Sequence, residues 1–172
     1  MESGPENILL SLERIWYIVG TTFESLVRPG VEDPTLRLLI VRHEAPVIME
    51  GVLKFKKNGF YREHSFQLST QNPENLNFSI KEKSWLFGGR HSVVLWPDAS
   101  KEWMIWKETL PRRRWVWHLL SASPHPERDA LHAFLLSTAK HHPEVANGFL
   151  KFQPCIQRSE KADLSISPGA LN

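Results

Sequence analysis

Apolar and polar residues alternate along this chain with two different rhythms. From Ile8 to Val27 the apolar positions are Ile8, Leu12, Ile15, Trp16, Val19, Phe23, Leu26 and Val27. Gaps of three and four residues place them on one stripe of an amphipathic helix. Gly20 and the Thr21-Thr22 pair weaken that helix locally, so a break is expected there. Arg28-Pro29-Gly30 ends it, and the segment as far as Pro34 reads as a loop.

The rhythm then shortens to two. Leu36, Leu38 and Ile40 alternate with Arg37, Leu39 and Val41, and Glu44-Ala45-Pro46 turns the chain. In the next segment, Val47 to Lys56, one face carries Val47, Met49, Gly51, Leu53 and Phe55; the other carries Glu50, Lys54 and Lys56. Asn58-Gly59 accepts the positive φ angles of a type I′ turn, so Lys57 to Phe60 predicts a tight hairpin with a return strand from Phe60 to Leu68. Further strands are expected from Leu76 to Phe87, Arg90 to Trp96, Glu102 to Lys107 and Arg113 to Ser121, with turns at Gly88-Gly89, Pro97 to Ser100 and Leu110-Pro111. Ser123 as N-cap and Pro124 at the first helical position open a second helix. Its inward stripe is Leu131, Phe134, Leu135 and Thr138, and Pro143 stops it. Phe149 to Phe152 adds a last short strand, and residues 157–172 are polar and small enough to predict a disordered tail.

These elements define a mainly β, α+β fold: an antiparallel meander of about seven or eight strands with a helix before it and one after. Short connections between neighbours favour closure into a barrel, which removes exposed sheet edges. Residues 1–156 form one domain on this reading, large enough to bury a core.

Composition narrows the functional classes. A net charge of +2 over 172 residues is too small to argue for nucleic acid or membrane. Arg112-Arg113-Arg114 beside Trp115 and Trp117 has the ingredients of a stacking site, but there is no recognition helix or RNP-like string to go with it. A single cysteine, Cys155, excludes an internal disulfide. The first residues lack the basic start and apolar run of a secretion signal, so a soluble, cytoplasmic protein is expected. The unusual feature is seven tryptophans, six of them between Val47 and Leu120. So much aromatic surface must be buried or must grip something.

Candidate chemistry centres on the return strand. The face that carries Phe60, Phe66 and Leu68 also carries Arg62 and His64. If that face is interior, a guanidinium and an imidazole point among rings and need a carboxylate, a water or an anionic ligand. Glu50 and Glu82 are the carboxylate candidates. Histidine recurs on the strands, and His64, His91 and His118 are the candidate acid–base groups if the interior is catalytic. His43 belongs to the same series, but no spacing among the histidines suits a metal, and His141-His142 would splay apart. No nucleophile motif or phosphate-binding glycine loop occurs, and no cofactor is implied.

The order of elements, a leading helix, a meander of strands, then a helix and a closing strand, resembles lipocalin-like (calycin) small barrels. The family's Gly-x-Trp signature is missing; the nearest tryptophan, Trp16, lies in Ile15-Trp16-Tyr17. A second resemblance is to pleckstrin-homology domains. Gly51-Val52-Leu53 with Arg62 to Leu68 is similar to that family's first hairpin, and Glu127-Arg128-Asp129-Ala130-Leu131 to the start of its final helix. There Leu131 stands where the family usually has tryptophan, and the Asn-Gly turn replaces a longer basic loop.

The expectation is therefore a protein that binds a small hydrophobic or amphipathic molecule in a barrel. Phe66, Trp103, Trp115 and Trp117 would supply wall, and Arg62 with His64 would orient a polar end. Two alternatives stand beside it. One is an isomerase, cyclase or lyase acting on a hydrophobic substrate in the same cavity. The other is an adaptor whose surface, including the basic Lys54, Lys56 and Lys57, meets a protein or lipid headgroups.

Overall fold

A computed structural model describes residues 5–22, 28–82, 91–110, 114–141, 143 and 151–152. The expected first helix is the main point of difference. A short helix, α1 (Pro5–Leu12), gives way at once to a strand, β1 (Ile15–Thr21). Trp16 and Ile18 of β1 join one apolar cluster, while Val19 and Tyr17 join another. With both faces covered, the strand shows no polar alternation, and its continuous apolar run matched a helical stripe by coincidence.

Seven further long strands follow: β2 (Val31–Arg42), β3 (Val47–Lys57), β4 (Phe60–Thr70), β5 (Asn77–Glu82), β6 (His91–Pro97), β7 (Trp103–Leu110) and β8 (Arg114–Ser121). Each pairs antiparallel with the next, and β1 pairs with both β2 and β8, so eight strands close into a barrel. A two-residue strand, β9 (Lys151–Phe152), pairs with Gly20 and Thr21 of β1. The expected antiparallel barrel with a helix before the strands and one after them is the fold observed.

Local chemistry explains the remaining shifts. β2 begins ahead of Pro34, because an irregularity between Glu32 and Thr35, with Asp33 at φ 50°, absorbs the proline inside the strand. The Asn58-Gly59 turn forms as expected, with φ of 50° and 85°. Its Asn58 amide donates to the Gly30 carbonyl at 2.9 Å, which braces the hairpin against the β1–β2 connection. The second helix, α2 (Arg128–His141), starts later than expected. His125 precedes Pro126, which disfavours helical backbone there. The Ser123 hydroxyl instead accepts from the His125 amide at 3.3 Å. The stripe of α2 is as expected: Leu131, Leu135 and Thr138 are buried and Phe134 is half-buried. The Gly88-Gly89 turn, Arg112 and Arg113, residues 149–150, Cys155 and the tail 157–172 lie outside the described residues.

Two apolar layers result. The barrel interior holds Trp16, Leu38, Met49, Leu68, Phe78, Leu95, Met104 and Trp106, with Leu9 and Leu12 of α1 closing one end. There the Trp16 indole donates to the Leu12 carbonyl at 3.1 Å, and the Arg14 guanidinium lies 5.3 Å from the Trp16 ring centroid. Trp16 thus stands on the first strand, with Arg14 where the lipocalin signature would have glycine. The second layer lies between α2 and the outer wall: Val19, Trp103, Ile105, Trp117, Leu119, Leu131 and Leu135. Among the described residues no helix is long and apolar enough to cross a membrane.

Candidate functional site

The register of the β3–β4 hairpin decides how Arg62 and His64 are presented. Phe66, Leu68 and Thr70 of β4 are buried, and strand alternation puts Arg62 and His64 on the same inward face. Both are nevertheless exposed. They lie beyond the packed interior, at the end of the barrel opposite α1, where solvent reaches the inward side of the sheet. Across the hairpin, Leu53 pairs with His64 and Phe55 with Arg62. Leu53 and Phe55 are half-buried against the interior cluster, and the Phe55 and His64 rings stack with centroids 6.2 Å apart. The result is a ledge, apolar on β3 and cationic or polar on β4, leading down to Phe66 and to Trp106, which meet edge to face at 5.7 Å.

Gly51 shapes the foot of that ledge. It pairs with Phe66, and a Cβ added at Gly51 would lie 2.2 Å from the ring carbons Cε2 and Cζ. The ring therefore rests directly on the β3 backbone, a position that any side chain at residue 51 would contest. Glu50 sits on the opposite face, in register with Gln67 and Leu39, and cannot meet Arg62 or His64. The side chain of Glu82, the other carboxylate considered, lies outside the described residues.

Deeper in the barrel the polar groups differ. His91 and His118 are both buried. His118 shares the inward face of β8 with Leu120, and its Nδ1 lies 2.8 Å from the Thr21 hydroxyl. That contact depends on an extra residue in β1. The pairing of β1 with β8 slips between Ile18 and Gly20, so Thr21 faces inward opposite His118. Burial holds the His118 imidazole down, from its usual 6.5 to about 4, and so neutral near pH 7. One step above Trp106 on the inward side of β7 is Glu108, whose carboxylate accepts from the Trp106 indole at 3.4 Å.

The three tryptophans expected to line the interior stand elsewhere. Trp103 and Trp117 lie in the outer layer, Trp103 stacked on Phe134 of α2 at 5.5 Å and Trp117 against Trp96 at 5.4 Å. Trp115 is on the same outer face and 56% exposed. The Lys107 ammonium lies 5.8, 5.2 and 4.8 Å from the Trp96, Trp115 and Trp117 ring centroids. Of the predicted residues the structure therefore gathers Arg62, His64 and Phe66 on one inward face, with His91 and His118 also inside, and leaves the tryptophans outside. It adds Leu53, Phe55, Thr21, Trp106 and Glu108, which sequence reasoning passed over. Glu108 was legible in principle, since it continues the alternation of Met104 and Trp106. Among the described residues no three His, Cys, Asp or Glu side chains come together as a metal site.

This architecture, eight antiparallel strands closed on themselves with a leading helix at one end and a later helix on the outer wall, is that of a lipocalin-like small β-barrel. No protein-family model matches the sequence, and no curated protein does. Among solved structures the chain is similar to the siderocalin Ex-FABP, described as functioning through dual ligand specificities. The match covers 91% of this chain and 99% of that one, with a TM-score of 0.58 and 12% identity, so the likeness is one of fold. The pleckstrin-homology resemblance does not extend to the architecture, because two strands precede the Gly51-Val52-Leu53 segment, which lies on β3.

Proposed function

We propose that the protein binds a small amphipathic molecule, apolar in body and anionic at one end, on the inward side of the β3–β4 hairpin. One observation carries the reading: Arg62 and His64 face inward yet stay in solvent, directly above the buried Phe66. Leu53 and Phe55 offer apolar contact across the hairpin, and an arginine–anion contact adds charge-assisted hydrogen bonds. The lipocalin-like fold supports the same reading, because such barrels hold ligands within the sheet.

His118 is poorly suited to act as the base of a cavity enzyme. A general base works best with a pKa near the working pH, and an imidazole held near 4 is a weak base at pH 7. The cavity-enzyme alternative is thereby left with His64 on the ledge and His91 inside.

The test uses the fluorescent anion anilinonaphthalene sulfonate, which has apolar rings and one fixed negative charge. Arg62→Ala/His64→Ala should weaken its binding about tenfold or more, the loss expected for one charged hydrogen bond. The urea midpoint should not move, because both side chains are exposed. Unchanged affinity in the double variant, or loss of the fold, would show that the pair does not serve a ligand.

A further inference from the structure

The tip of the β3–β4 hairpin carries a pattern that the ligand reading does not use. Phe60 and Tyr61 are 71% and 68% exposed, the highest values among the exposed large apolar residues. Register places Lys57 opposite Phe60 and Lys56 opposite Tyr61. Alternation turns the first pair inward and the second outward, so each face of the tip presents one aromatic ring beside one ammonium. From Lys54 to Glu63 there are four cationic side chains and one carboxylate, Glu63, which pairs with Lys54 at 3.6 Å. Lys54 also lies 4.8 Å from the Tyr61 ring centroid, while Glu32 of β2 stands in register with Lys56. Lys57 and Arg62 are exposed and extend the positive surface to the inward face.

We infer that this tip docks the barrel on an anionic lipid bilayer. Aromatic rings are favoured at the headgroup boundary, where an apolar body and a wet surface meet. Basic residues beside them are drawn to anionic headgroups. The tip projects two rings and does not enclose a groove, so it suits a partner that needs no shape complementarity. The Asn58 bond to Gly30 keeps the rings presented. Arg62 and His64 lie on the same hairpin a short way back from Phe60, so a docked tip brings the inward ledge close to the membrane. The inference stands without the ligand reading and gives it a source of apolar molecules.

Sedimentation with vesicles tests it. The full chain should pellet with phosphatidylcholine vesicles containing one third phosphatidylserine, much less with phosphatidylcholine alone, and should be released by high salt. Each lysine near the surface contributes about fivefold, so Lys56→Gln/Lys57→Gln should cut the partition coefficient about twenty-five-fold. Phe60→Ala/Tyr61→Ala should cut it about tenfold or more. Lys140→Gln, exposed on α2, should leave it unchanged. Phe60→Trp supplies a reading independent of truncation: its added emission should shift to the blue on anionic vesicles and be quenched by brominated lipid. Absence of pelleting, or tip variants that pellet like the parent, overturns the inference. So does tight binding of soluble polyglutamate by the parent chain without any vesicle binding, which would assign the lysines to an acidic protein.

Discussion

Replacing Gly51 by alanine should strain the barrel at one identifiable contact. The new Cβ would sit 2.2 Å from Cε2 and Cζ of Phe66, whereas ordinary contact begins near 3.4 Å, so the ring must retreat by at least 1.2 Å (3.4 minus 2.2). Phe66 is buried, and Trp106 meets it edge to face at 5.7 Å, so a retreating ring is driven into other packed groups. Overpacking of this kind costs about 1–3 kcal/mol. Removing a glycine from a strand returns about 0.5–1 kcal/mol. A net loss of about 1 kcal/mol, and no more than about 2.5 kcal/mol, remains, or a Tm lower by about 2–10 °C for a chain of this length. Urea denaturation followed by tryptophan fluorescence measures it. The decisive comparison is the same substitution in a Phe66→Leu background, where the shorter side chain does not reach residue 51 and the penalty should vanish or reverse. A Gly51→Ala protein as stable as the parent, or one that loses as much stability in the Phe66→Leu background, would refute the reasoning.

Other perturbations separate the barrel's parts. The folded state holds His118 near 4 and the unfolded chain titrates near 6.5, so the unfolded state takes up the proton first as pH falls. This contribution is fully present above about pH 6.5 and declines by about 3 kcal/mol as the pH falls to about 4. Urea midpoints across that range should show the loss, and His118→Gln should flatten it; an unchanged slope in the variant would assign the acid sensitivity elsewhere. Trp103→Ala should cost about 3–5 kcal/mol by emptying the space against Phe134. Binding of anilinonaphthalene sulfonate at the ledge should be unaffected in that variant, provided the assay is run where it remains folded.

The alternating strands were legible because one of their faces meets water. Leu36, Leu38 and Ile40 are buried while Arg37, Leu39 and Val41 are exposed, as the sequence rhythm predicts. The Asn58-Gly59 turn was legible from backbone sterics alone. Strands covered on both sides were not. β1 passed for a helix, and in β7 the run Trp103-Met104-Ile105-Trp106 is buried throughout. Hydropathy there cannot say which residues face the interior, and the choice is made by α2, which covers Trp103 and Trp117 from outside. The ledge could be read as a mixed face on β4, but its exposure depends on how far the hairpin outruns the packed interior. Thr21 was out of reach, because a single slipped pairing in β1 decides where it points.

The way β1 is shared among its neighbours has a consequence for shortened forms of the protein. Its pairing with β2 runs from Ile15 to Tyr17, and Lys151–Phe152 takes over at Gly20 and Thr21. Past the β1–β2 closure, that edge of β1 is thus covered by two residues delivered from more than a hundred positions downstream. A chain ending ahead of residue 151 would bare those backbone donors and acceptors beside Thr21, a vacancy that an extended segment of another molecule can fill by adding a strand.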